Sequence, residues 1–237
     1  MIRTVLFGAA GRMGKLVADE ITAQKDISLV AAIEADGHPA TGTLVGDVPI
    51  TTDSDELPEA DVLVDFSLAD PVMKHLEVAA RAGRSIIVGA TGFSEGMLSE
   101  IRSLSKQTAI LLAPNLSMGI GVMDKLTGIA ADALGQDFQA GLFEIHHSTK
   151  RDAPSGTAKW LAEKLKTEDA EPQIVSLRLG GAIGEHRLHF TGSDEELIII
   201  HRAWSRRAFA RGVPRAIRFI YGRQPGLYSI RDIYNTI

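Results

Sequence analysis

The 237-residue chain contains no cysteine. That excludes disulfide bracing, thiolate catalysis, cysteine-ligated zinc and iron–sulfur clusters. No apolar run approaches the roughly 20 residues a helix needs to cross a bilayer. Positive charge is not in excess: 25 Lys and Arg stand against 30 Asp and Glu, for a formal net charge of -5. Nothing in that balance attracts nucleic acid or an anionic membrane surface in general, although it leaves room for a local basic site that takes a small anion. Internal repeats and low-complexity tracts are also missing, and a hydrophobic content of 45% suits a soluble globular protein with one large core or two smaller ones. The opening MIRTVLFGAAGRMG has one early arginine and then runs straight into a glycine-rich turn. A first β-strand is therefore expected there rather than a signal peptide, and the expected location is the cytoplasm.

What is present has two rhythms. Through the first half, short apolar runs alternate with stretches of helical periodicity. Strands are expected near Thr4–Gly8, Ser28–Ile33, Val62–Phe66, Ile86–Val88 and Ala109–Leu112, with helices near Arg12–Ala23, Pro71–Arg81 and Ser94–Ser105. Such alternation predicts an α/β fold with a Rossmann-like parallel sheet covered on both faces. A longer helix is expected over Ser117–Leu134. From Phe138 strands follow one another with a single helix near Thr157–Lys166, which predicts an inserted α/β domain with an open mixed sheet. Arg206–Tyr221 reads as helix again and is expected to return to the first domain. The division that follows is 1–117 with 207–237, and 118–206.

The motif GAAGRMG places Gly8, Gly11 and Gly14 between the first strand and the first helix. Glycines there let the backbone approach a pyrophosphate, whose charge the free N–H groups of the helix start receive. Twenty-odd residues on, Glu34 ends the second strand, where a carboxylate accepts the ribose hydroxyls of NAD and repels the 2′-phosphate of NADP. Two further loops, VGATGF (Val88–Phe93) and APNLSMG (Ala113–Gly119), follow strands of the same sheet, and Gly89, Thr91 and Asn115 are candidates for ribose and nicotinamide contacts.

In EIHHSTKRDAPSGTA, Glu144 to Ala158, three chemistries compete. Glu144 and His146 share one face of a strand, and His186, His189 and His201 could join them in a metal site. The histidines could instead be structural. The third reading is an anion site that moves protons, with Lys150 folded back over the strand end and Ser155, Gly156 and Thr157 opening a helix towards a carboxylate. Arg178, beside the glycine-rich run GGAIGEH, supplies a planar fork for a second carboxylate or an ion pair.

Taken together, GAAGRMG, VGATGF, HHSTKRDAPSGTA, RLGGAIGEH and GLYSIRDI resemble, in this order, the motifs of the 4-hydroxy-tetrahydrodipicolinate reductase family, formerly dihydrodipicolinate reductase. The resemblance implies a dinucleotide domain completed by the carboxyl-terminal segment, an inserted substrate and oligomerisation domain, and a homotetramer. The implied reaction is NADH- or NADPH-dependent reduction of (2S,4S)-4-hydroxy-2,3,4,5-tetrahydrodipicolinate to (S)-2,3,4,5-tetrahydrodipicolinate, with release of water. It makes His146 and Lys150 catalytic, and gives substrate contacts to His147, Gly156 and Thr157, with Ser155 and Arg178 added from their chemistry. Coenzyme contacts fall on Gly8, Ala9, Ala10, Gly11, Arg12, Met13, Glu34, Gly89, Ala90, Thr91, Ala113, Pro114, Asn115 and Leu116. No metal is expected. Three departures stand out: Ala10 where some members have glycine, Ala35 where they have arginine, and a short segment at 167–175. The second tilts the expectation slightly to NADH.

Overall fold

A computed structural model describes residues 1–52, 58–166 and 171–235. In chain order the elements are β1 (Ile2–Phe7), α1 (Arg12–Thr22), β2 (Ile27–Glu34), β3 (Leu44–Val45), β4 (Val48–Thr52), β5 (Val62–Asp65), α2 (Ala69–Ala82), β6 (Ser85–Val88), α3 (Glu95–Leu104), β7 (Ala109–Leu112), α4 (Met118–Leu134), β8 (Gln139–His146), α5 (Gly156–Ala162), β9 (Gln173–Arg178), β10 (Gly184–Thr191), β11 (Glu196–Ala203), α6 (Arg207–Ala210), α7 (Val213–Ile220), β12 (Gly226–Tyr228) and α8 (Ile230–Asn235). They form two compact units: Met1–Leu116 with the carboxyl-terminal segment from Phe209, and Ser117–Ala208.

The first unit is built on a sheet of order β12-β7-β6-β5-β1-β2-β4-β3. Every pairing in it is parallel except the β3–β4 hairpin. Both faces are covered, which is why its central strands are near-continuous apolar runs. One face packs Val5, Phe7, Leu63, Ile86 and Ile110 against Val72 and Leu76 of α2 and Ile101 of α3. Residues of opposite parity, including Leu6, Val64, Ile87 and Leu111, are fully buried as well. Each such side chain contributes roughly 1.5–3 kcal/mol through burial.

Two features of this unit were not legible as elements. The β3–β4 hairpin and β12 are only two to five residues long, too short for a periodic signal. β12 pairs parallel with β7 through Gly226↔Ala109 and Tyr228↔Leu111, so the carboxyl-terminal segment extends the sheet itself. The helix expected over Arg206–Tyr221 is broken into α6 and α7 around Gly212. A Cβ on Gly212 would fall 1.8 Å from the Leu116 carbonyl oxygen, so the chain passes closely there and then restarts with Pro214 at the head of α7.

The second unit is a four-stranded sheet of order β11-β10-β8-β9. Its pairings are antiparallel apart from β8 with β9, so the sheet is mixed, as the sequence predicts. Leu142, Leu188 and Phe190 pack with Ile120 and Met123 of α4 and with Ala158 and Leu161 of α5. The register aligns Ile200, Arg187, Phe143 and Val175 across the opposite face. That face is open in the single chain: Val175 is 52% and Ile200 54% exposed.

Candidate active site

In the first unit the glycine-rich turn shapes a candidate site. Gly8 has φ +70°, and Gly11 caps α1. Gly14 lies one turn into that helix, where a Cβ would come 2.0 Å from the Gly8 carbonyl oxygen and 2.8 Å from Ala9. Its role is close helix–strand packing, which leaves Gly8 and Gly11 to shape the turn. Gly14→Ala should cost on the order of 3 kcal/mol, the upper end of ordinary overpacking. A denaturation midpoint unchanged from wild type would contradict that packing.

Glu34 turns its carboxylate back onto this loop: Oε1 accepts the Ala10 N–H at 2.8 Å and Oε2 the Ala35 N–H at 3.3 Å. Gly8, Gly11 and Glu34 line a cleft of about 1190 Å³ in the first unit, together with Phe66, Ser67 and His75. Of the other predicted positions, Ala9 is fully buried, Ala10 and Met13 are half-buried and Arg12 is exposed. Gly89, Ala90 and Thr91 follow β6, and Ala113, Pro114, Asn115 and Leu116 follow β7. Because β1, β5, β6 and β7 are parallel neighbours, these loops share one sheet edge with the turn. Sequence reasoning missed Phe66, Ser67 and His75, although the strand-end rule that found the other loops applies equally to β5.

The second unit carries its own cluster of candidate residues, on the sheet face covered by α5. Register aligns His186, Glu144 and Ser176 across β10, β8 and β9, and the neighbouring row pairs His146 with Arg178. Glu144 is fully buried. Its Oε1 accepts the Ser155 N–H at 3.0 Å, the Ser176 hydroxyl at 2.7 Å and Arg178 Nη2 at 3.1 Å. Its Oε2 lies 3.2 Å from His146 Nδ1 and 3.7 Å from His186 Nε2. Neither contact is a hydrogen bond, and among the described residues Oε2, His146 Nδ1 and His186 Nδ1 have no hydrogen-bond partner. Burial alone would raise the Glu144 carboxyl, but the neighbouring His146 and the hydrogen bonds from Ser155 and Ser176 outweigh it and hold the group well below the usual carboxylate range. Burial, reinforced by the neighbouring His146, pushes the His186 imidazole down to about 3, so His186 is neutral.

These contacts decide what each predicted residue does locally. Arg178 does not reach out as an isolated fork: besides Glu144 it donates to the carbonyls of Leu177 and Asp152. Ser155 is 2% exposed, and its hydroxyl caps α5 by accepting the Ala158 N–H at 3.1 Å, whereas Gly156 and Thr157 lie nearer the surface. His147 stands just past the strand end, with Nδ1 2.7 Å from the Thr149 hydroxyl. Lys150 Nζ pairs with Asp152 Oδ1 at 2.8 Å. Burial would raise the Asp152 carboxyl, but the Lys150 hydrogen bond and charge prevail and hold it low. Glu144, His146 and His186 offer ligand atoms within 4.8 Å of one another, a spacing that could hold a metal ion. His189 and His201 lie outside that cluster. Arg178 already occupies one oxygen of the carboxylate, and a guanidinium there opposes a dication on the other.

A parallel sheet with a glycine cradle at its first turn and an acidic strand end beside it defines a class, the Rossmann-type oxidoreductases that use a nicotinamide dinucleotide. Residues 2–116 match the model for the amino terminus of dihydrodipicolinate reductase, and residues 119–234 the model for its carboxyl terminus. The chain belongs to the dihydrodipicolinate reductase family, and it is an NAD(P)H-dependent reductase of lysine and diaminopimelate biosynthesis. It is 35% identical to the 4-hydroxy-tetrahydrodipicolinate reductase of Syntrophus aciditrophicus, with 98% of each chain covered. It is 34% identical to that of Aquifex aeolicus at the same coverage. Among solved structures, the dipicolinate-bound dihydrodipicolinate reductase of Paenisporosarcina sp. TG-14 superposes with a TM-score of 0.79 at 24% identity over 97% of each chain. An amine dehydrogenase of Mycobacterium smegmatis superposes at 0.74 with 13% identity, covering 98% of this chain and 95% of its own, which speaks to fold alone. Among the described residues no helix is long and apolar enough to cross a membrane.

Proposed function

We propose that the chain reduces (2S,4S)-4-hydroxy-2,3,4,5-tetrahydrodipicolinate to (S)-2,3,4,5-tetrahydrodipicolinate, with NADH favoured over NADPH and water released. The observation that carries this reading is the buried Glu144 tying His146, Arg178 and the start of α5 into one polar cluster, with Lys150 on the loop between them. The first unit is the dinucleotide domain: the turn from Gly8 to Met13, Glu34 and the loops after β6 and β7 hold the coenzyme. Its fit rests on the cradle, in which Gly8, at φ +70°, and Gly11, at the start of α1, line the cleft beside Glu34 and leave the N–H groups of the helix start for a pyrophosphate. When bound, the coenzyme supplies the hydride.

The second unit binds the cyclic dicarboxylate. His147, Gly156 and Thr157 hold its carboxylates, and Ser155 and Arg178 contribute by fixing the helix start and the loop that carries Asp152. Loss of the hydroxyl leaves a conjugated imine, which takes hydride at one carbon and a proton at its partner atom. Lys150 donates that proton, and His146, backed by Glu144, orients the ring and steadies its charge. No metal takes part, since Arg178 already neutralises the carboxylate a dication would need. The open sheet face carrying Phe143, Val175, Ile198 and Ile200 is covered by other copies in a cytoplasmic homotetramer. Nucleic acid and membrane are not partners.

Coenzyme choice tests the reading of Glu34. Wild type should turn over NADH more efficiently than NADPH, and Ala35→Arg should shift the ratio of kcat/KM values about tenfold towards NADPH, or about 1.4 kcal/mol. A wild type that prefers NADPH would contradict that reading, as would a variant whose ratio does not move.

A further inference from the structure

β5 ends in a buried carboxylate that the proposed reaction does not use. Asp65 is fully buried, and its partners lie within the same strand-end network. Oδ1 accepts the Ser67 N–H at 2.8 Å and the Ser67 hydroxyl at 2.6 Å. Oδ2 lies 2.6 Å from Nδ1 of His75, in the second turn of α2. His75, 5% exposed, stacks on Phe7, with ring centroids 3.9 Å apart and planes at 16°. An apolar residue at this strand end would avoid the desolvation a carboxylate incurs. What the carboxylate delivers is a fixed Phe66–Ser67 turn, tied to α2 on one side and, through the stack, to the strand that leads into the glycine-rich loop.

That turn is confined from two directions. A Cβ on Gly8 would fall 2.9 Å from the Phe66 carbonyl carbon and oxygen and from the Ser67 nitrogen. A Cβ on Gly89 would fall 2.3 Å from the Phe66 ring. Two loops assigned to the coenzyme are therefore closed against the same Phe66–Ser67 turn, and Phe66, Ser67 and His75 all line the cleft. We propose that Asp65 and His75 are positioning residues for the coenzyme: they lock the Phe66–Ser67 turn between the Gly8 and Gly89 loops and so fix the wall of the cleft. The inference rests on the reading that this cleft takes a nicotinamide dinucleotide.

The test is the dissociation constant for NADH, followed by fluorescence, in wild type, His75→Ala, His75→Asn and Asp65→Asn, with a melting temperature for each. The side-chain amide of asparagine places a donor near the position of Nδ1, so His75→Asn should recover most of the binding that His75→Ala loses. Expected are about tenfold weaker binding in His75→Ala and Asp65→Asn, equivalent to about 1.4 kcal/mol. The loss should appear in the KM for coenzyme rather than in kcat. Gly89→Ala, which presses on Phe66 while leaving the Asp65–His75 pair in place, should weaken binding in the same direction. Binding equal to wild type in both His75→Ala and Asp65→Asn would overturn the inference, as would losses that follow melting temperature with no recovery in His75→Asn. A folded wild type that binds neither NADH nor NADPH would remove the coenzyme reading itself, and the inference with it.

Discussion

Replacing Lys150 with alanine should lower kcat by about 10²–10⁴-fold, the usual contribution of a positioned acid, while NADH binding stays within about twofold of wild type. The two halves of that expectation come from different parts of the chain. Lys150 sits in the loop after β8, paired with Asp152, whereas the glycine cradle, Glu34 and the cleft belong wholly to the first unit. His146→Ala should also lower kcat steeply, because the imidazole is held in a buried cluster rather than on the surface. Steady-state kinetics alongside a coenzyme titration separates the outcomes. If both variants kept near wild-type kcat, the proton-transfer assignment would be wrong, and if NADH binding fell in parallel with kcat the loss could not be assigned to chemistry.

The second large effect is on stability. Glu144 accepts three hydrogen bonds, one of them from Arg178, in a fully buried position. Removing one partner of a buried pair leaves the other charge stranded, at about 3–5 kcal/mol. Glu144→Ala should therefore unfold at markedly lower denaturant, and Glu144→Gln should recover part of the loss by keeping an acceptor for Ser155 and Ser176. The same carboxylate sets an acid limit. Its folded-state pKa lies well below the ordinary 4.5. The stability it contributes is therefore fully present above that ordinary value and is lost as pH falls through the folded value. Wild type should lose stability progressively below about pH 4.5, and Glu144→Gln should lose less over the same range. Parallel acid curves for the two proteins would be the contrary result.

Much of this was legible beforehand for physical reasons. Strands buried on both faces announce themselves as apolar runs, and Gly8, Gly11 and Glu34 occupy positions fixed by the first turn and the second strand's end. The alternation of a strand was enough to put Glu144 and His146 on one face. It could not show that Arg178 and Ser155 converge on Glu144, because that depends on β9 lying parallel to β8 and on the path of the loop through Asp152. Arg178 therefore read as either a fork for a substrate carboxylate or an ion-pair partner, and its guanidinium pairs with Glu144 within the cluster. His186 reached the cluster only through the antiparallel register of β10. The pairing of Asp65 with His75 was hidden for a similar reason, since a strand end and a helix turn meet only once the helix has packed. The short segment at 167–175 showed as a departure in length, and its residues 167–170 lie outside the described part of the structure.

The most direct measurement follows the coenzyme's near-ultraviolet absorbance after purified protein is mixed with NADH and freshly generated 4-hydroxy-tetrahydrodipicolinate. Saturable oxidation of NADH that depends on that substrate, and that disappears in Lys150→Ala, is the predicted result. A folded protein that binds NADH yet oxidises neither it nor NADPH in the presence of this substrate would contradict the proposed reaction.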